Sequence, residues 1–364
     1  MFGFGKNKFL GVDIGTSAIK VVEIKIENNK PILSNYAWMQ LNGAGSEMQR
    51  DFSEEDMTQY LKRILSAAKF RSAETYASMP SFGGLVTLIE LPEMSNADLD
   101  QAIKFEAHKY IPTALDDIAL SWDVISKKNA PVIQKRAESG EPARVNAPSE
   151  AKLQVLLVAA PKNKVAKYEK MIHGAGLSLR SIEIESFALV RALIGNDAGN
   201  FIIVDIGSRV CNIVLVEKGV IKVNRNIDAG GRDITKTIAR GFNVDAERAE
   251  NMKISGGSLL GKESGIRLTT LDLIIDEVRR VLQAYYKNEG EKKVDGVILS
   301  GGTAGLEDIE KYFSESLGIK SVVGNPLGRI GYDPKLKAKL TAIGPQMTVS
   351  IGLALKGVEE ILRK

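Results

Sequence analysis

Two carboxylates, Asp13 and Asp205, stand at the same place in a repeated phrase, Val12-Asp13-Ile14-Gly15-Thr16 and Val204-Asp205-Ile206-Gly207-Ser208, 192 positions apart. Each phrase closes an apolar run and precedes a second β-rich run, at 19–24 and 210–216, so both read as hairpins. Glycine at a tight turn lets a backbone N–H approach an anion with no Cβ between them, and the Thr or Ser hydroxyl adds a donor. An Asp just before the turn can hold the water shell of Mg²⁺, the octahedral ion that accompanies nucleotide phosphates. Two such turns facing each other would clamp a polyphosphate, and their spacing implies two similar halves with the ligand between them. One Asp-x-Gly-Thr alone is an ordinary turn, since turns are made of these residues. Two copies in matching context, with a third glycine-rich turn downstream, favour phosphate.

Further residues extend the set. Lys20 follows Asp13 by seven residues on the outgoing strand, where its ammonium either reaches the outer phosphates or sits solvated. Ser17, beside the first turn, and Asn212, on the strand leaving the second, complete the two candidate clamps. Residues 297–304 are an apolar strand running into Gly301, Gly302 and Thr303, with a helix expected over 306–317. A helix N-terminus reached through glycines offers free N–H groups and a positive dipole end to a phosphate or nucleoside; a plain strand-to-helix turn would use the same residues. Gly230 and Gly231 make another glycine turn before a helix expected near Asp233. Glu247, Glu250 and Lys253 share a helix face, which by itself describes an exposed ion pair. Residues 256–262 fit Gly-x4-Gly-Lys, but Glu263 replaces the Mg²⁺-holding Ser or Thr and no buried strand precedes them, so they form no Walker A loop. His108 and His173 are isolated and lack metal-ligand spacing.

The elements that must position these residues follow from the apolar pattern. Strand patterns at 9–14, 19–26 and 31–38 precede a helical stretch at 54–69, where Met57, Leu61, Ile64, Leu65 and Ala68 recur at helical spacing, and then a strand at 75–79. Three strands and a helix return after residue 200, at 201–206, 210–217, 220–225 and from 233, as a duplication would produce. Residues 80–176 have no counterpart. Strands near 84–90 and 153–159 and helices at 96–110 and 162–174 read as a small inserted α+β subdomain, its first helix capped by Ser95 or Asn96 and ended by Pro112. Within it, 126–152 is rich in Pro, Ala, Glu and Lys and reads as a mobile surface loop. The first lobe core is then 1–79 with 177–198 and about 341–364; the second lobe is 199–340, including a helical subdomain at about 232–293.

Composition bounds the function. A chain of 364 residues, 44% hydrophobic, is long enough for two lobes with their own cores. The net charge of +4 is small and its basic residues are scattered, so nothing points to nucleic acid. Cys211 is the single cysteine and can form no internal disulfide, which fits a reducing, cytoplasmic setting. No apolar run approaches the roughly 20 residues of a membrane span, and residues 1–9 lack a signal peptide's apolar region. A soluble chain is expected.

Together these pieces resemble the actin-like ATPase superfamily of actin, the sugar kinases, the heat-shock chaperones, MreB and FtsA. Asp13, Gly15 and Thr16 look like its first phosphate motif, Asp205, Gly207 and Ser208 like its second, and Ser300, Gly301, Gly302 and Thr303 like its adenosine motif. The Asp13-to-Lys20 spacing is similar to that of actin's phosphate-binding lysine, and the stretch from Gly231 to Thr235 resembles actin's corresponding one. Ala249-Glu250-x-x-Lys253 looks like the adenosine-contacting helix of the bacterial members, which turns Glu250 and Lys253 from an ion pair into nucleotide contacts. Within the superfamily the chain is similar to the PilM family of type IV pilus assembly over nearly its whole length. The most specific parts are Leu91-Pro92-Glu93-Met94, the run from Ala102 to Ala107 with Tyr110-Ile111-Pro112, and Ile182-Glu183-Ile184-Glu185-Ser186-Phe187-Ala188.

The resemblance implies an α/β, actin-like (ribonuclease H-like) duplicated two-lobe fold with an FtsA/PilM-type α+β insert in the first lobe. It implies ATP or ADP with Mg²⁺ as cofactors, the metal held by Asp13 and Asp205 through water. It also implies docking of the N-terminal cytoplasmic tail of PilN, a membrane-anchored partner, on the lobe bearing the insert. A place at the inner face of the inner membrane, among other pilus assembly proteins and with a capacity for self-association, is then borrowed from that partner. Three functions compete on such a fold. An ATP-binding scaffold needs only these parts, while a small-molecule kinase needs an acceptor pocket with a general base, and context singles out no carboxylate for it. A polymerising ATPase of the FtsA or MreB kind stays open. Glu185 stands where chaperones and MreB carry a Glu that positions the attacking water; here it either acts as that catalytic residue or only caps a helix starting near Ser186. Hydrolysis is expected to be slow or absent. Nucleotide contacts are split between lobes and the expected peptide site is not, so weak coupling between the two ligands is expected.

Overall fold

Runs of β-branched and apolar residues, each ended by a Gly- or Asn-containing turn, build two five-stranded sheets of the same connectivity. The computed structural model describes residues 7–41, 52–111, 114–128, 152–255, 257, 259–261, 264–289 and 292–363. The chain opens with β1 (Lys8–Ile14), β2 (Ala18–Glu27), β3 (Lys30–Gln40), α1 (Glu54–Ala67) and β4 (Glu74–Met79). It runs on through β5 (Leu85–Pro92), α2 (Asn96–Ala107), β6 (Ile118–Lys128), β7 (Lys152–Pro161) and α3 (Lys162–Gly174), and returns with β8 (Ser178–Ile184) and α4 (Glu185–Leu193). The second half holds β9 (Asn200–Ile206), β10 (Cys211–Glu217), β11 (Val220–Ile227), α5 (Gly231–Phe242), α6 (Ala246–Ser255), α7 (Thr269–Glu289), β12 (Gly296–Ser300), α8 (Ile309–Leu317) and β13 (Ser321–Val323). Two helices follow, α9 (Lys337–Ile343) and α10 (Thr348–Leu362).

The sheet orders are β3-β2-β1-β4-β8 and β11-β10-β9-β12-β13. In each, an antiparallel meander of three strands is extended by two parallel ones, so the duplication read from the sequence is a duplication of topology. Each sheet buries an apolar face: Leu10, Val12, Ile19 and Val21 against Met57, Leu61 and Ile64 of α1 in the first lobe, and Ile202, Val204, Ile213 and Leu215 against Ile274, Val278 and Val281 of α7 in the second. Helix α1 starts on a capping box, with Ser53 and Asp56 satisfying each other's backbone N–H groups. Helix α10 is mostly apolar and is buried from Thr348 to Leu355 and again at Gly357 and Val358. Gly11 admits it, since a Cβ there would lie 1.9 Å from the Ser350 carbonyl oxygen, and Gly352 lets it meet α4, where a Cβ would lie 2.0 Å from the Ala188 carbonyl oxygen.

By their contacts the residues divide into two units, Met1–Gly83 with Val165–Lys364, and Gly84–Lys164. The smaller unit is an antiparallel sheet of order β5-β7-β6 with α2 laid on it, Leu99, Ile103 and Ala107 packing onto Ile89, Val155 and Leu157. Three expectations change. Strand β6 stands where no strand was expected, and residues 126–128 pair with 152–154, shortening the expected loop; residues 129–151, and Pro112, lie outside the described residues. Most of α3 sits with the larger unit, because Met171 and Ile172 are buried in the first lobe's core. The helix expected over 306–317 begins three residues later, as α8 from Ile309, after a left-handed Asp308 with φ 62°, and a separate 3₁₀ turn at Gly302–Gly305 precedes it. No described helix is long and apolar enough to cross a membrane.

Candidate functional site

The two hairpin turns are one object built twice. Gly15 N–H donates to the Ala18 carbonyl at 3.0 Å, and Gly207 N–H donates to the Val210 carbonyl at 3.1 Å. A Cβ at these glycines would press on those same oxygens, at 3.1 and 2.8 Å. Glycine therefore closes a three-residue turn with its own N–H. The amides of Thr16, Ser17, Ser208 and Arg209 donate to no backbone carbonyl in the turn and loop bonding of the described residues.

Strand register accounts for the seven-residue spacing. Asp13 lies directly across β1 and β2 from Lys20, and Asp205 lies directly across β9 and β10 from Asn212. Lys20 Nζ donates to Asp13 Oδ2 at 3.0 Å, while Ser78 on β4 donates to Asp13 Oδ1 at 3.3 Å. Asp13 and Asp205 are 5% and 9% exposed, so both carboxylates are enclosed. Glu185, at the start of α4, joins them: its Oε1 accepts from Ser81 N–H at 3.0 Å and from Asn212 Nδ2 at 2.6 Å.

Three carboxylates surround one ammonium. Burial pushes the Glu185 carboxyl up to about 7, with Asp205 and Asp13 adding to the shift against the hydrogen bonds from Ser81 and Asn212. Burial also raises Asp205, against the pull of Lys20 and hydrogen bonds from Ser300 and Asn212. For Lys20, burial disfavours the charge, but Asp13 and, further away, Asp205 and Glu185 outweigh it and hold the ammonium above its ordinary value. The corner is therefore short of positive charge. Asn212, 3% exposed, also carries a buried Oδ1 with no hydrogen-bond partner. Buried polar atoms are rarely left so, and an orphan oxygen beside two enclosed aspartates suits a hydrated divalent cation. Among the described residues no three His, Cys, Asp or Glu side chains cluster closely enough to ligate a metal by themselves. Asp13, Asp205 and Asn212 fit Mg²⁺ held through its water shell.

The other predicted residues gather in the second lobe. Gly231 and Arg232 donate their N–H groups to the Gly207 and Ser208 carbonyls, both at 2.9 Å, so α5 begins on the second turn. A Cβ on Gly230 would lie 2.6 Å from the Ser208 carbonyl oxygen; one on Gly231 would lie 2.8 Å from Thr303 Oγ1 and 3.3 Å from Lys253 Nζ. Lys253, its side chain only 9% exposed, bonds Glu250 at 2.6 Å, Thr235 Oγ1 at 2.9 Å and the Gly231 carbonyl at 3.2 Å. With Lys253 enclosed and Glu250 half-buried, this pair fastens α6 to α5 beside Thr303, unlike an exposed surface pair. Gly301 has φ 86° and a Cβ there would meet the Ile206 carbonyl oxygen at 2.4 Å, whereas a Cβ on Gly302 meets nothing within 4 Å. A 3₁₀ turn of four residues follows Gly301, so the helix-dipole argument for this motif does not hold.

Thr16 and Ser17 remain at the rim, exposed and half-buried. Sequence reasoning missed Ser78 and Ser81 as partners of the site, and Ser186 and Asn224, which lie behind Ser81 and outside it. Ser300, read from the sequence as the residue before the two glycines, bonds Thr348 Oγ1 at 3.1 Å and supports Asp205.

Two sheets of one connectivity, each delivering an aspartate-and-glycine turn to the same corner, define an actin-like, ribonuclease H-like duplicated fold. It is the fold of ethanolamine utilization protein EutJ from Carboxydothermus hydrogenoformans, with a TM-score of 0.51 and 18% identity over 96% of this chain and 89% of that one. MreB 5 of Spiroplasma citri bound to AMPPNP matches with a TM-score of 0.50 and 15% identity over 98% of both chains. The chain belongs to the PilM family: the sequence profile of type IV pilus assembly protein PilM matches residues 11–358. A chain of the PilM-PilN type IV pilus biogenesis complex is similar throughout, with a TM-score of 0.76 and 26% identity over 96% of this chain and 98% of that one. Cell division protein FtsA of Helicobacter pylori is 29% identical over 105 residues, 28% of this chain and 21% of FtsA. FtsA of Streptococcus pneumoniae is 18% identical over 358 residues, 88% of this chain and 76% of FtsA. Across these curated relatives the chain thus spans from about a fifth to three quarters of their length.

Proposed function

We propose that this chain is a nucleotide-binding scaffold of the type IV pilus inner-membrane assembly platform, holding ATP or ADP with Mg²⁺ at its paired turns and docking the N-terminal cytoplasmic tail of a PilN-type partner on the unit 84–164. The observation that carries the nucleotide part is the turn built twice, with Asp13 opposite Lys20 in one copy and Asp205 opposite Asn212 in the other. The amides and hydroxyls of Thr16, Ser17 and Ser208 cradle phosphate oxygens, and Lys20 offsets their charge. Asp13, Asp205 and Asn212 orient the water shell of Mg²⁺, which when bound supplies the positive charge that the corner lacks. Gly302, with nothing in the way of a Cβ, leaves room for the nucleoside against Thr303, Gly230, Gly231, Glu250 and Lys253. Glu185, poised near neutrality between Ser81 and Asn212, orients an attacking water, and turnover is slow because it must first release those bonds.

Similarity to the PilM-PilN complex over 96% of the chain supports the partner. The sheet order β5-β7-β6 leaves β5 and β6 as edges, to which an extended peptide adds by main-chain hydrogen bonds. Membrane association then comes through the partner. Calorimetric titration of ATP with Mg²⁺ and with EDTA should give binding that weakens at least tenfold without the metal, and at least tenfold in Asp13→Asn and Asp205→Asn chains that remain folded. Unchanged affinity in both variants would reject the paired-turn site. Separately, a PilN-type N-terminal peptide should lose binding when 84–164 is replaced by a short linker in a chain that keeps its nucleotide affinity.

A further inference from the structure

Ser81 is held twice, and both holds lead to the second lobe. Its N–H donates to Glu185 Oε1, which also accepts from Asn212 on β10. Its hydroxyl meets Ser186 Oγ at 2.8 Å, and Ser186 donates to Asn224 Oδ1 on β11 at 2.9 Å. Ser186 has one proton, and Asn224 takes it, so Ser81 must donate to Ser186. Ser81 and Ser186 are both fully buried, where an unmade hydrogen bond is costly. This residue opens the short 3₁₀ turn Ser81–Gly83, after which the unit Gly84–Lys164 begins. The chain leaves that unit through α3, whose Tyr168 has its phenol proton held by burial and by the nearby charges of Glu185 and Asp13. Both covalent connections of the smaller unit therefore run past the carboxylates of the nucleotide corner.

We infer that the Ser81 double clamp, through Glu185–Asn212 and Ser186–Asn224, relays occupancy of the nucleotide site to the backbone at the start of the partner-binding unit. This rests on the nucleotide reading above and adds its regulation. With Mg²⁺ and phosphates in place, the orphan Asn212 oxygen gains a partner and the Asn212 side chain is fixed from both ends. Its Nδ2 then holds in one position the Glu185 oxygen that also accepts from Ser81 N–H. The Ser81 N–H is gripped harder and the 81–85 backbone exchanges more slowly. Ligand-dependent ordering at a junction is a coupling free energy between two sites, against the weak coupling that the split of contacts between lobes suggested.

The test is amide hydrogen exchange on the full chain, alone and with Mg²⁺ and AMPPNP, in parallel with calorimetry. Exchange across residues 81–85 should slow at least fivefold on binding in the wild-type chain. In Asn224→Ala, a change on the partly exposed edge strand β11, and in Ser186→Ala, nucleotide affinity should stay within threefold while the slowing drops below twofold. Binding without any change at 81–85, or an undiminished response in both variants, overturns the relay and leaves the nucleotide site intact. No binding by the wild-type chain overturns both.

Discussion

Asp13 and Asp205 differ in what faces them, a lysine in one copy and an asparagine in the other, so the site is symmetric in backbone and asymmetric in charge. Glu185 registers that asymmetry. Its carboxyl titrates near 7 in the folded chain against 4.5 as the ordinary value. Between those values the unfolded chain has released a proton that the folded chain keeps, so this group's contribution to stability falls as pH rises through the window and is level above it. Glu185→Gln removes the titration. Relative to wild type it should gain stability from pH 4.5 to 7.5, by roughly 3 kcal/mol at most, in denaturant unfolding curves; parallel pH profiles for the two chains would refute the raised carboxyl. The aspartates were legible in the sequence because phrase, turn and strand are local. Ser81, Ser186 and Asn224 were not, because serines and asparagines are common in turns and only long-range packing brings these three together.

Among the elements, neighbouring glycines separate folding from binding. Gly301 is required by the chain, having φ 86° and no space for a Cβ, while Gly302 is required by nothing within the protein. Gly301→Ala should cost about 1–3 kcal/mol in stability and lower the melting temperature. Gly302→Ala should melt within a degree or two of wild type yet bind nucleotide at least fivefold more weakly. Equal effects of the two changes on binding and melting would show that Gly302 is structural. The same reasoning applies to Gly352, where a Cβ would drive α10 off α4; Gly352→Ala should destabilise by about 1–3 kcal/mol or more, as overpacked cores do. Element type was readable where periodicity was long, as in α1 and the two meanders. Strand β6 was missed although Leu120, Trp122 and Val124 alternate with Ser121 and Asp123, because that short run leads straight into a polar stretch. The start of α8 was misplaced because a left-handed Asp308 leaves no sequence signal.

At the scale of the whole molecule, the two lobes meet at a corner where buried like charges oppose one another, so a charged ligand is worth more to this fold than its contacts alone. Saturation with nucleotide and Mg²⁺ at one hundred times the dissociation constant should add about 2.7 kcal/mol to unfolding, seen as a higher melting temperature that disappears with EDTA. No shift at that concentration would mean that nucleotide also binds the unfolded chain or does not bind at all. The overall plan was legible because duplication repeats itself in sequence; the division at Gly84 and Lys164 was not, because α3 looks the same whichever unit it covers.

Helix α10 gives that plan a direction in time. The sheet made first, β1 to β4, is completed by a helix made last, whereas every strand of the second sheet lies within 200–323. At about 5–20 residues per second of synthesis, tens of seconds separate β1 from the residues that fill the groove over Gly11. The half of the protein that emerges first must therefore be the half that folds last. On ribosomes stalled after α9, a brief protease pulse should cleave within 7–79 while sparing 200–323, and lengthening the chain through Leu362 should protect both.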